Sequence, residues 1–236
     1  MLSLHIDTEY SVISPYSVMI LLSFASGLIL QYFLNIKRGV IKRYALYLIT
    51  LGPLMSIEGA LLLTYITSKS IGLSSLGGLT GMYAAALVIG ALSRDKYGAR
   101  AMFENCTLIL PLMYSVAKVG CLLGGCCYGR AYHGPLCVEY TGHGKEGMCV
   151  FPVQLAETAV FFMIFIVGMI MAKKRSKNTL FTVFMLSAAA KFILDVLRDS
   201  HKDCVISVNQ ALCLTMMLLV AAAAAVKSYR NKKQPI

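Results

Sequence analysis

The sequence predicts an all-α integral membrane protein of about seven transmembrane helices, with its N-terminus outside the cytoplasm and its C-terminus inside. Three observations predict this. Of 236 residues, 58% are hydrophobic and only 14% charged, and a mean hydropathy of +0.70 implies more apolar surface than one soluble core of this length buries. The apolar residues gather into long runs between short charged or Gly/Pro-rich breaks, each run near the roughly 20 residues that cross a hydrocarbon core. The positive residues concentrate in every second break, which sets the direction of each crossing.

Taken in order, the runs predict helices at 15–36, 44–67, 73–93, 104–128, 152–172, 179–197 and 205–226. The first follows a segment with Asp7 and Glu9 and no Lys or Arg, and it ends at Lys37 and Arg38. That is the pattern of a first span inserted N-terminus out, because a cleaved signal peptide starts basic. Lys42 and Arg43 join the first break, Arg94, Lys96 and Arg100 fill the third, Lys173, Lys174, Arg175 and Lys177 the fifth, and Lys227, Arg230, Lys232 and Lys233 follow the last helix. The opposite side has only Lys69, Arg130, Lys145, Arg198 and Lys202, so the first set marks the cytoplasmic face. The net charge of +11 is thus mostly a topology signal. Spread over separate loops it makes no groove for nucleic acid, and no such partner is expected. Residues 1–236 read as one membrane domain. Its longest hydrophilic stretch, 130–149, lies outside, contains Tyr132, His133, Tyr140 and His143, and is placed to cap a site opening toward the outer leaflet.

Six ionisable residues fall inside or at the edge of the spans: Glu58, Lys118, Glu157, Lys191, Asp195 and Arg198. At roughly 2.5 to 3.5 kcal/mol each on insertion scales they would together cost on the order of 15 to 20 kcal/mol facing lipid. They are expected to face one another or water. Lys191, Asp195 and Arg198 are spaced i, i+4, i+7 on one face of the sixth helix, so Asp195 can pair with either cation and one positive charge is left over. A structural ion-pair lattice and a functional site both fit this pattern; Glu58 is assigned to neither.

In the fourth helix, KVGCLLGGCCYGR repeats Ala117, Cys121 and Gly125 every four residues, with Gly120 and Gly124 as a second small row. Backbones can approach closely on two sides. Lys118 opens this segment and Arg130 ends it, an arrangement suited to a lipid headgroup. The third helix opens with GLSSLGGLTG, whose Ser74, Ser75, Gly77 and Gly78 expose backbone donors that either bind phosphate or permit close packing. On the fifth, FPVQLAE sets Pro152 in the first turn and Gln154 and Glu157 on one face, both needing interior partners.

Of eight cysteines, Cys126, Cys127, Cys137, Cys149 and Cys204 are expected at or beyond the outer surface, where oxidation favours structural disulfides and five thiols leave one unpaired. Cys106, Cys121 and Cys213 are expected to be buried. The spacing of Cys121, Cys126 and Cys127 is not that of a zinc knuckle, and no two histidines sit at ligand spacing, so no metal is expected.

These segments resemble the bacterial prolipoprotein diacylglyceryl transferase family. KVGCLLGGCCYGR is similar to its GRxGCFxxGCCYG signature, FPVQLAE to HPxQLYE, KFILDVLR to R-x3-E-x2-R, and GLSSLGGLTG to its third-helix glycine segment, in family order on the third to sixth helices. The departures are Lys118 and Lys191 where the family has arginine, Leu76 before the glycine pair, Phe151 for histidine and Ala156 for tyrosine. Lysine is a point charge where arginine offers a bidentate fork. The resemblance implies transfer of diacylglyceryl from phosphatidylglycerol, or a related phospholipid, to the lipobox cysteine of a prolipoprotein, with release of glycerol phosphate and no cofactor, in a bacterial cell membrane. It implies catalytic roles for Lys118, Lys191 and Arg198 and substrate contacts from Ser74, Ser75, Gly77, Gly78, Cys121, Gly125, Arg130, Gln154, Glu157 and Asp195. No base for the thiol is named by it, since Leu76 occupies the family's histidine position; His133 and His143 are titratable residues outside the membrane. Two other readings stand beside it: a lipid or anion binder without chemistry, and a thiol oxidoreductase using Cys126 and Cys127.

Overall fold

The computed structural model describes residues 4–7, 14–69, 72–141, 149–176, 178–199 and 206–233. In chain order they form β1 (Leu4–Asp7), α1 (Pro15–Lys37), α2 (Lys42–Ser68), α3 (Ser75–Ser93), α4 (Lys96–Leu123), β2 (Val138–Thr141), β3 (Cys149–Val150), α5 (Val153–Lys173), α6 (Thr179–Asp195) and α7 (Val208–Lys233). Seven helices therefore stand where seven apolar runs predict them. Six are long and apolar enough to cross a membrane; α6, with 17 residues, lies at the short end of spanning length. Their outward faces carry Leu21, Phe33, Leu92 and Leu218, each more than 60% exposed, whereas Gln31, Asn35 and Asn105 are buried. A polar interior inside an apolar shell is the distribution a lipid solvent selects. Glu58, by contrast, is exposed on α2.

α4 is the central helix. More than half of its most apolar stretch is buried (56%), against 12–39% in the other five helices of membrane-spanning length, and it packs against α1, α3, α5 and α6. Its ends correct the sequence boundaries. It starts at Lys96 rather than 104, because Asp95 accepts a hydrogen bond from Tyr97 N at 3.0 Å and caps the first turn. Glu104 then pairs with Arg38 and Arg100, each at 2.8 Å, so charges that read as a loop belong to the aqueous end of a helix. It stops at Leu123 rather than 128, because Gly125 (φ +63°) and Cys127 (φ +58°) are left-handed, a conformation that breaks a right-handed helix. Gly125 thus leaves the row expected with Ala117 and Cys121. The second small row is used: a Cβ on Gly120 would lie 2.8 Å from Met19 Cβ and one on Gly124 3.1 Å from Tyr16 Cβ, so α1 seats there.

The glycines opening α3 also serve packing. A side chain on Gly59, Gly77 or Gly81 would run into the backbone of the facing helix, α3 for Gly59 and α2 for the other two, and Ser56 Oγ donates to Gly78 O at 2.9 Å. Ser74 caps α3, its Oγ accepting from Gly77 N at 3.4 Å. Ser75 is exposed.

At one end of the bundle sits a three-stranded sheet in the order β1-β2-β3. β1 pairs parallel with β2, Leu4 against Val138 and Asp7 against Thr141, and β2 pairs antiparallel with β3. Strands this short leave little trace in a hydropathy reading. Ile6, Val138, Tyr140 and Val150 form its buried side, over Leu122 and Tyr128. Cys137 and Cys149 are disulfide-bonded, with Cα atoms 5.4 Å apart. Cys126 and Cys127 are free, and Cys204 and His143 lie outside the described residues.

Candidate functional site

Beneath the sheet the buried charges meet. Gly129 makes the junction possible, since a Cβ there would fall 2.6 Å from Phe151 O and 3.0 Å from Leu197 O. With hydrogen alone, Gly129 N donates to Phe151 O at 3.0 Å and Arg130 N to Leu197 O at 3.2 Å. The chain after α4 is thereby tied both to the start of α5 and to the end of α6, the elements that carry Lys118, Glu157 and Arg198 to one place.

Glu157, on α5, has no solvent exposure and takes three cations from two other segments. Lys118 Nζ on α4 lies 2.9 Å from its Oε2. Lys191 Nζ on α6 donates to Oε1 at 3.2 Å, and Arg198 Nη2, just beyond α6, donates to Oε1 at 2.8 Å and Oε2 at 3.0 Å. Asp195 neighbours two of the same cations, at 3.7 Å from Lys191 and 3.6 Å from Arg198, and accepts from Ser207 Oγ at the start of α7 at 2.5 Å. Three cations face two carboxylates, and one positive charge remains. A buried cluster of this sign is stabilised by an added anion.

Two polar atoms of the cluster lack a hydrogen bond. Arg198 Nε and Gln154 Oε1 are buried without one, a donor 3.6 Å from Asp195 Oδ1 and an acceptor that an incoming ligand can use. Gln154 is held by its other end, Nε2 donating to Cys126 O at 2.7 Å and to Tyr140 Oη at 3.2 Å. Burial pushes the Tyr140 hydroxyl up to about 12, so it keeps its proton at neutral pH.

Sequence reasoning missed Tyr114. Its Oη donates to Glu157 Oε1 at 2.8 Å and accepts from Lys191 Nζ at 2.9 Å, and its ring lies 5.1 Å from Lys118 Nζ and 5.5 Å from Lys191 Nζ, within cation–π range. The i, i+4 relation of Tyr114 to Lys118 was the signal available. Arg130 is exposed, so its backbone, not its guanidinium, is what the junction uses. His133 is exposed. Ser74, Ser75, Gly77 and Gly78 sit on the α2–α3 seam described above. A cavity of about 770 Å³ lies elsewhere, at the α3–α4 turn, lined by Gly90, Arg94, Lys96 and Arg100 among others; its carboxylate, Glu104, is already paired.

The family model for prolipoprotein diacylglyceryl transferases matches residues 4–226. A protein of Dehalococcoides mccartyi named phosphatidylglycerol–prolipoprotein diacylglyceryl transferase is 33% identical over 126 residues, 51% of this chain and 47% of that protein. The match thus spans about half the length of that relative.

Proposed function

Because the chain belongs to the prolipoprotein diacylglyceryl transferase family, we propose that it moves a diacylglyceryl group from phosphatidylglycerol to the lipobox cysteine of a prolipoprotein, releasing glycerol phosphate. The observation that carries the reading is the buried trio of Lys118, Lys191 and Arg198 around Glu157, with one positive charge uncompensated. A phosphodiester supplies the missing charge. Arg198 Nε offers it a donor, and ammonium groups with hydrogens to spare beyond Glu157 offer more. As the C–O bond breaks, charge gathers on the departing phosphate, and cations fixed in place by Glu157, Asp195 and Tyr114 stabilise it without reorganising. Gln154 Oε1, a buried acceptor without a hydrogen bond, suits a hydroxyl of a glycerol headgroup, and the positive charge of the cluster disfavours a phospholipid with a cationic headgroup.

The test uses the full chain in vesicles, phosphatidylglycerol labelled in its acyl chains, and a lipobox peptide. The expected product is a thioether-linked diacylglyceryl peptide that forms with cysteine and not with serine at the acceptor position. Saturable lipid binding without product would replace the transferase with a lipid-binding protein.

The same proposal places the sheet and the site at the outer leaflet of a bacterial cell membrane, with the C-terminus in the cytoplasm. A reporter fused after Arg230 should then be active only as a cytoplasmic fusion, and a thiol label at a cysteine introduced at Ala131 should react in intact cells. An externally reporting C-terminus would reverse the orientation.

A further inference from the structure

Cys121, Cys126 and Cys127 are five and six residues apart across a helix end, and the fold closes them on one another. The sulfur atoms of all three lie within 4.8 Å of each other. Two independent features hold them there. The left-handed turn at Gly125 and Cys127 folds the chain back over α4, and Cys126 N donates to Cys121 O at 3.1 Å. Gln154 Nε2, from α5, fastens the Cys126 carbonyl at 2.7 Å. The backbone that carries the thiols is thus held by contacts outside them, and the thiols also hydrogen-bond among themselves. They are graded in exposure, Cys121 buried, Cys126 partly buried and Cys127 exposed.

We infer that Cys121, Cys126 and Cys127 form a three-thiolate site for a zinc-class ion whose fourth position is taken by the acceptor thiol. A tetrahedral zinc with bonds of about 2.3 Å holds its sulfurs about 3.8 Å apart, at most about 1 Å closer than the observed grouping. Three protein ligands with one position open is the arrangement of a catalytic zinc, whereas a structural site is filled by four. The spacing alone argued against this, because a zinc knuckle is read from a short loop and here a helix terminus and a left-handed turn do the same work.

This inference rests on the transferase reading and deepens it. The reaction joins a thiol sulfur to a carbon that carries a phosphate ester, and no base for that thiol is evident among the described residues of the site. A metal ion removes the need, because coordination deprotonates a thiol outright. The acceptor thiol binds the ion and releases its proton to solvent. Its sulfur lone pair then forms the S–C bond to the glyceryl carbon, and the C–O bond breaks with its electron pair going to the phosphate oxygen of the leaving glycerol phosphate. The thioether product is neutral and a weaker ligand, so it leaves. Lys118 is one turn before Cys121, and Gln154 touches Cys126 while sitting one turn from Glu157, so sulfur and phosphate would be held on adjoining sites.

The experiment is cobalt(II) substitution in the purified full-length protein. One equivalent should bind with a near-ultraviolet thiolate charge-transfer band and the visible bands of four-coordinate cobalt. A lipobox cysteine peptide should shift the visible bands, and the serine peptide should not. Cys126→Ser should lose the stoichiometric signal while the Cys137–Cys149 disulfide and the thermal transition of the protein persist. No cobalt binding by the unaltered chain, or mass spectrometry showing these thiols joined as a disulfide in the active protein, overturns the inference. Transfer that continues undiminished after complete metal removal overturns it as well and leaves the transferase reading standing. Absence of transfer from every phospholipid, by contrast, removes that reading, and with it the acceptor as fourth ligand.

Discussion

Replacing Glu157 with glutamine is expected to destabilise the protein more than any other single change in the site, by about 3 to 5 kcal/mol, the cost of leaving buried charge without its partner. The size follows from the geometry. One carboxylate neutralises Lys118 at 2.9 Å, Lys191 at 3.2 Å and Arg198 at 2.8 Å, and its removal leaves them with Asp195 alone. Asp195 reaches Lys191 and Arg198 but has no contact with Lys118 among the described residues. The amide also places two hydrogens where donors already point. Glu157→Gln should therefore accumulate poorly and melt well below the unaltered protein in detergent, and Glu157→Asp, which keeps the charge on a shorter stem, should recover part of the loss. A Glu157→Gln protein that accumulates and melts normally would mean that the cluster is neutralised by something else.

Lys118→Ala should behave in the opposite way, with stability largely held and transfer lost. Glu157 keeps Lys191 and Arg198, so no carboxylate is stranded, and the cluster's surplus positive charge disappears. If that surplus binds the lipid phosphate, its loss removes a charged hydrogen bond of about 1.5 to 3 kcal/mol, roughly tenfold to more than a hundredfold in affinity, with a further loss in rate where charge develops in the transition state. Lys191→Ala should lose activity too, but with some loss of stability, because Tyr114 and Asp195 both contact Lys191. Lys118→Arg should retain or raise transfer from phosphatidylglycerol; loss of activity there would point to a site shaped for another headgroup. Melting curves and the peptide transfer assay, run on the same preparations, separate the cases. A well-folded Lys118→Ala, Lys191→Ala double variant with full activity would remove the cations from the mechanism.

The elements that repeat locally were legible in the sequence. Seven apolar runs mark seven helices, and periodicity set Lys191 and Asp195 on one face and Gln154 beside Glu157, whereas Arg198, expected on the same helical face, lies past the end of α6. What periodicity does not carry is which faces meet. That Lys118 on α4 and Arg198 after α6 share one carboxylate on α5 depends on Gly129 admitting two neighbouring backbones, and a lone glycine announces no such contact. The end of α4 was hidden for a related reason: GGCCYG is apolar enough to continue a span, and only left-handed backbone at Gly125 and Cys127 stops it. The same turn gathers the three thiols, so one missed boundary concealed both features. The sheet was unreadable because its partners are far apart in sequence and β3 has two residues. The serine and glycine segment of α3 reads equally well as a phosphate loop or a packing seam; the contacts observed for it are those of a seam.

The pairing of β1 with β2 also sets an order of events during synthesis. β1 ends at Asp7 and its partner begins at Val138, so about 130 residues separate them, roughly 7 to 26 seconds of translation at about 5 to 20 residues per second. For that interval α1 to α4 can be made and packed, whereas the first strand has nothing to pair with. The sheet can consequently pair only after α1 to α4 have been made, whereas α5 and α6, which bring Glu157 and Lys191 to the charged cluster, follow its strands in the chain. Nascent chains stopped before residue 138 would have the central helix and Lys118 but neither Glu157 nor a roof, which makes the lysine the earliest buried charge of the site and the one that waits longest for its counterion.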